Sequence, residues 1–210
     1  MIRVLIVDDH AVVRRGLKDI LADERDVEVS DTADPHEALR LIRQQAWVLV
    51  VLDLDLPGKS GLDLLKDIKR ERAHLPVLIL SVYPEEQFAV RTLRAGASGF
   101  LCKDSAPEDL VKAVRKILKG GRYFSERVAD QLLSRTHVKG VTAYPHESLS
   151  HREFQILCLL GAGKTVKAIA RELSLSAPTV STYRARLLEK MEMKTTAELV
   201  RYAVKNRLAI

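Results

Sequence analysis

Residues 50–58 read VVLDLDLPG, an apolar run that delivers two aspartates two residues apart and then breaks at a Pro-Gly turn. A run of valine and leucine without polar alternation suits a strand covered on both faces, and such strands belong to parallel sheets. Comparable short runs lie at 2–7 (IRVLIV), 27–30 (VEVS), 47–52 (WVLVVL), 76–80 (PVLIL) and 99–102 (GFLC). The segments between them carry helical signals. Asp34-Pro35-His36-Glu37 opens one helix with an N-cap, a proline at its first position and an acid at its third. Leu110, Val114, Ile117 and Leu118 share one face of another, which begins with a Ser105 to Glu108 capping box and ends at Gly120-Gly121. Five strands alternating with five helices within about 120 residues predict an α/β fold with a doubly wound, five-stranded parallel sheet.

The chain changes character after residue 120. One helix is predicted near 125–134, followed by HVKGVTAYPHES (137–148), which has no periodicity, so 121–148 reads as a linker. From residue 149 to 210 only helical patterns remain. A Ser150 to Glu153 capping box starts a helix that runs to about Leu160, Gly161 and Gly163 break it, and further helices fit 165–173, 176–190 and 195–207. Charge divides at the same place. Residues 150–210 hold 11 Lys/Arg against 5 Asp/Glu, whereas residues 1–149 hold 23 of each. All the net positive charge therefore sits on the small helical unit, which points to a polyanion such as nucleic acid rather than a membrane surface.

The remaining bulk properties exclude several classes. A composition that is 47% hydrophobic supplies a core, and its 5% aromatic content makes that core mostly aliphatic. No apolar run reaches the roughly 18 residues of a membrane span, and MIRVLIVDD meets two acids too early for a signal peptide. Cys102 and Cys158 lack metal-ligand spacing and read as structural thiols. A cytoplasmic protein is expected.

Several polar residues stand where the apolar strands end: Asp8 and Asp9 after the first, Asp53 after the third, Ser81 after the fourth, Lys103 after the fifth. Ligands of open parallel sheets bind beyond these strand ends. Three converging acids repel unless a hard divalent cation such as Mg²⁺ lies between them, and a lysine adds a point positive charge. This set suits a phosphoryl group. An aspartate can attack phosphorus, the cation and lysine can neutralise the charge, and a hydroxyl can bond the resulting oxygen.

Residues 1–120, through VDD, VVLDLDLPGKSGLDLL, VLILS and GFLCK in that order, resemble the flavodoxin-like receiver domain of a bacterial two-component response regulator. The resemblance implies that Asp53 accepts the phosphoryl group from a sensor histidine kinase, and that Asp8, Asp9 and Asp53 bind Mg²⁺ together with the backbone carbonyl of Asp55. It further implies that Ser81 and Lys103 contact the phosphoryl group, and that Ser81 couples to Phe100 as a switch. Such a switch biases an existing equilibrium and alters the surface of the fourth helix and fifth strand.

Residues 150–208, through LSHREFQILCLLGAGKTVKAIARELSLSAPTVSTYRARLLEKM, resemble the four-helix LuxR-type DNA-binding domain, so the whole chain resembles the NarL/FixJ group. A helix-turn-helix lays its second helix in the major groove of double-stranded DNA. On that helix Val180, Tyr183, Leu187 and Met191 share a face assigned to the core. Ser181 and Thr182 are then expected at base edges, and Thr179, Arg184, Arg186, Lys164 and Lys167 at phosphates. Ala168 stands where the group usually has an acid, so the helix that starts at Thr165 lacks its capping-box partner.

Phosphorylation is expected to promote dimerisation and promoter binding. Two other functions fit parts of the chain. A phosphohydrolase of related topology needs a second acid near the nucleophile, for which Asp55 is available. An adaptor would keep the receiver and use the basic tail on RNA or protein.

Overall fold

The computed structural model describes residues 1–22, 24, 26–130 and 144–209. The chain divides into two compact units, Met1–His137 and Val138–Ile210. The predicted linker therefore falls partly outside the described residues, as does the end of the helix expected near 125–134.

In the first unit β1 (Ile2–Val7), α1 (Ala11–Ala22), β2 (Val27–Thr32), α2 (Pro35–Gln44), β3 (Leu49–Asp53), α3 (Gly61–Glu71), β4 (Val77–Ser81), α4 (Glu85–Arg94), β5 (Gly99–Cys102) and α5 (Ala106–Leu118) alternate. The strands form one parallel sheet in the order β2-β1-β3-β4-β5. Right-handed crossovers on this order send α1 and α5 to one face and α2, α3 and α4 to the other. On the first face Val4, Ile6, Leu49, Val51, Leu78, Leu80 and Leu101 pack with Leu17 and Leu21 of α1 and Leu110, Val114 and Ile117 of α5. The alternate residues Leu5, Val7, Val50, Leu52, Val77, Ile79 and Phe100 are equally buried. That double burial is why β3 and β4 read as unbroken apolar runs. β2, at a sheet edge, has no fully buried residue and carries polar side chains through Thr32.

Asp34 caps α2 as predicted, its side chain accepting from the His36 amide, with Pro35 in the first turn. The capping box predicted at Ser105 does not form. A 3₁₀ turn over Lys103–Ser105 runs straight into α5, Ser105 has helical ψ of −2°, and its hydroxyl donates to the Cys102 carbonyl instead. A cap residue needs extended backbone for its side chain to reach the third amide of the helix.

Beyond α5 the chain stays on the receiver. Gly99 and Tyr123 form an isolated parallel bridge, helical backbone resumes over 126–130, and Val128 is fully buried.

In the second unit a 3₁₀ turn (Pro145–Ser148) precedes α6 (His151–Gly161), α7 (Val166–Glu172), α8 (Ala177–Lys190) and α9 (Thr196–Lys205). Ser150 and Glu153 form the predicted capping box. Glu153 also binds Lys190 Nζ at 2.8 Å, so one buried carboxylate ties the start of α6 to the end of α8. His146 Nδ1 meets the Tyr202 hydroxyl at 2.7 Å, which fastens the 3₁₀ turn to α9. No helix among the described residues is long and apolar enough to cross a membrane.

Candidate functional site

Strand parity assembles the site. Ile6 pairs with Val51 and Val7 with Leu52, so Asp8 and Asp53 leave their strands side by side, on the face already occupied by Ile6 and Val51. Lys103 follows Leu101 on that same face, whereas Ser81 follows Val77 and Ile79 on the opposite one. The Lys103 Nζ hydrogen-bonds Asp53 Oδ2 at 2.8 Å and lies 2.7 Å from Asp8 Oδ2. Both carboxylates are almost fully buried, while Asp9 is one-third exposed.

These neighbours set the electrostatics. Burial pushes the pKa of Asp53 up to about 7; Lys103 pulls it down, and the Asp8 and Asp55 carboxylates add to the rise. Burial opposes the charge on Lys103, but Asp53 and Asp8 outweigh it and hold the lysine above its ordinary value. Two acids share one lysine here, so the cluster is short of positive charge.

Donor atoms of Asp8, Asp9, His10 and Asp53 all lie within 4.8 Å of one another. The oxygen-rich set fits a hard divalent cation, and such a cation would relieve the charge deficit. His10 was not among the sequence candidates. Its amide donates to Asp8 Oδ1 at 2.8 Å and its Nδ1 lies 2.7 Å from Asp9 Oδ1. The unbroken Asp8-Asp9-His10 run of potential ligands was the available signal. Arg14 is a second addition: it donates to the Asp8 carbonyl at 2.8 Å and to Asp31 Oδ2 at 2.7 Å, so it fixes the loop that carries the acids. Only the fold brings Asp31, at the end of β2, to that position.

Past β3 the chain turns tightly under the site. Leu54 and Leu56 stay buried, Asp55 between them is half-buried, and Gly58 takes a φ of +76°. Gly61 opens α3 so close to β3 that a Cβ there would meet the Asp53 carbonyl oxygen at 2.0 Å. Ser81 is fully buried and its Oγ accepts from the Tyr83 amide at 3.1 Å, not from a group of the acid cluster. Phe100, on the same sheet face, is also buried.

In the helical unit the core face of α8 matches the prediction, with Val180, Leu187 and Met191 buried and Tyr183 half-buried. Pro178, Thr182, Ala185, Arg186 and Glu189 are exposed, whereas Thr179, Ser181 and Arg184 are half-buried on the flanks. The Thr182 hydroxyl donates to the Pro178 carbonyl and Thr179 Oγ1 meets the capping hydroxyl of Ser176. Lys167 is exposed. Lys164 is engaged by both carboxylate oxygens of Glu172, at 2.8 and 2.6 Å.

The family model of the response regulator receiver domain matches residues 4–115, and that of bacterial regulatory proteins of the luxR family matches residues 147–203. Among curated proteins, response regulator UvrY of Escherichia coli is 35% identical over 99% of this chain and 96% of its own. Response regulator GacA of Pseudomonas aeruginosa is 36% identical over 98% of this chain and 97% of its own. Among solved structures, RcsB of Salmonella enterica serovar Typhimurium, bound to promoter rprA in the presence of the phosphomimetic BeF3-, is 25% identical, with a TM-score of 0.62 over 96% of this chain and 98% of that one. With both family models matched in order and relatives aligned along nearly the whole chain, this protein belongs to the NarL/FixJ group of response regulators, which join a receiver domain to a LuxR-type DNA-binding domain.

Proposed function

We propose that Asp53 accepts a phosphoryl group from a sensor histidine kinase, and that this promotes dimerisation and promoter binding by the helical domain. The observation that carries the reading is the shared lysine: Lys103 bridges the buried carboxylates of Asp53 and Asp8 at the strand ends. An Asp53 oxygen attacks phosphorus, the bond from phosphorus to the donor nitrogen breaks with its electron pair going to that nitrogen, and the leaving imidazole takes a proton from solvent. The product is an acyl phosphate on Asp53. Lys103 is placed to bind a phosphoryl oxygen, and Ser81 can do so once its hydroxyl leaves the Tyr83 amide. Asp8, Asp9 and Asp53 would hold Mg²⁺ with the Asp55 backbone carbonyl, and the ion would neutralise charge on the transferring group. Arg14 orients the acidic loop from outside that shell.

The helical domain acts on duplex DNA through the exposed face of α8. Thr182, exposed, and Ser181, half-buried beside it, would meet base edges, and Thr179, Arg184, Arg186, Lys164 and Lys167 would meet phosphates. A kinase and a DNA partner place this action in the cytoplasm. The protein works as a regulator and not as a turnover enzyme, with residues 1–120 as receiver, 121–148 as linker and 149–210 as DNA-binding domain.

Phosphate-affinity electrophoresis with acetyl phosphate and Mg²⁺ tests the acceptor. Wild type should give a retarded species that Asp53→Asn lacks, and equal labelling of the two proteins would overturn the assignment.

A further inference from the structure

β5 is a sheet edge, and its outer hydrogen-bonding groups are taken by the chain that leaves the receiver. The Phe100 amide donates to the Tyr123 carbonyl at 2.8 Å and the Tyr123 amide donates to the Ser98 carbonyl at 3.1 Å. The contact is built for closeness: a Cβ on Gly99 would meet the Tyr123 carbonyl oxygen at 2.8 Å and the Tyr123 Cβ at 3.0 Å. The Tyr123 ring packs on the α1/α5 core with Lys116 Nζ 5.8 Å from its centroid. Two residues on, the Ser125 amide donates to Glu85 Oε1 at 2.8 Å. Ser125 also starts the helical stretch over 126–130, its hydroxyl accepting from the Val128 amide and its carbonyl from the Ala129 amide.

Each anchor is attached to one half of the Ser81–Phe100 pair. Phe100 holds Tyr123 by its own backbone. Glu85 is the first residue of α4 and only the loop 82–84 separates it from Ser81; the α4 N-cap, Pro84, makes no side-chain cap bond. If Ser81 shifts toward Asp53 it would pull on the turn that presents Glu85, and a shift of Phe100 would disturb the bond to Tyr123. Both anchors would then respond to the same event.

We propose that the outer edge of β5 and the first turn of α4 form an intramolecular docking surface for residues 122–128, and that the Ser81–Phe100 switch releases this segment on phosphorylation. The proposal rests on Asp53 as the acceptor. Release would free the chain toward the DNA-binding domain and expose two strand-edge groups, the Phe100 amide and the Ser98 carbonyl.

Hydrogen exchange with mass spectrometry on the full chain tests this, with Asp53 labelling by acetyl phosphate checked in the same samples. Phosphorylation should speed exchange over 121–130 by about tenfold or more while β1 and β3 peptides stay protected. Labelled protein with unchanged exchange over 121–130 overturns the proposal. Gly99→Ala, which crowds Tyr123, should give the same acceleration without phosphoryl donor, and unchanged exchange there also overturns it. Glu85→Ala removes only the second anchor and serves if Gly99→Ala does not fold. Should Asp53 not label at all, the acceptor assignment falls and release on phosphorylation falls with it, while Gly99→Ala still decides the docking itself: acceleration over 121–130 sustains the docked segment and no change overturns it.

Discussion

The surroundings of Asp53 oppose its charge, so the ionised carboxylate costs the fold stability. Its carboxyl titrates near pH 3.8 when free and is raised to about 7 in the folded protein, chiefly by burial. Between those two values the folded state holds a proton that the unfolded state has lost, so stability falls as pH rises from about 4 to 7 and then levels. Removing the charge should recover part of that loss. In chelator at pH 7.5, Asp53→Asn is expected to be more stable than wild type by about 1–3 kcal/mol in urea denaturation, with the difference shrinking toward pH 4.5. A difference that does not change with pH would refute the buried-charge account. Glycines separate by their surroundings in the same way. At Gly61 an added methyl would meet the Asp53 backbone at 2.0 Å, whereas at Gly16 on α1 it would meet nothing within 4 Å. Gly61→Ala should destabilise by about 2–4 kcal/mol and, on the proposed acceptor role, slow Asp53 labelling by roughly tenfold to a hundredfold, because Asp53 itself would move. Gly16→Ala should stabilise by about 0.5–1 kcal/mol and leave labelling alone.

At the scale of elements, the legible parts of the sequence were those set by burial and by parity. β1, β3, β4 and β5 are apolar runs because both sheet faces are covered, and the same alternation that buries Ile6, Val51 and Leu101 brings Asp8, Asp53 and Lys103 together. The parts that stayed hidden depend on backbone detail or on distant partners. Ser105 carried the signature of a cap, yet the 3₁₀ turn before it set its ψ to −2°. The exit chain at Tyr123 carried no strand signal, because one bridging residue makes no pattern. Asp31 and Arg14 meet only once β2 lies beside β1. The α7 cap shows what a readable local signal is worth. Thr165 accepts from the Ala168 amide at 3.3 Å, but the Ala168 methyl offers no acceptor to return the bond. Ala168→Glu should complete the capping box and raise the stability of the helical unit by about 0.5–1 kcal/mol, measured by urea denaturation of the full chain.

At the scale of the whole molecule, the electroneutral and the basic part divide the work, and the division can be read from DNA binding. Residues 150–210 carry 11 basic against 5 acidic residues, so phosphate contacts and counterion release should dominate affinity. On the proposed phosphate contact, Lys164 would enter that balance only after exchanging Glu172 for a phosphate, since both carboxylate oxygens hold it now. Glu172→Gln should therefore tighten binding to any duplex by a few-fold and steepen the salt dependence by up to about one unit of slope. Lys167→Ala should act in the opposite direction. Phosphorylation belongs to a different term. If it brings two helical domains together on one duplex, the gain depends on whether both α8 helices reach major grooves on the same side. Lengthening the spacer between half-sites by about five base pairs turns one half-site to the far side, and about ten restores it. Phosphorylated protein should lose most of its advantage over unphosphorylated protein on the first DNA and regain it on the second. Asp53→Asn should bind all three spacings alike, because its two helical domains act separately. An advantage of the phosphorylated protein that ignores spacing would mean that phosphorylation acts within one chain, by freeing α8, and not by pairing two.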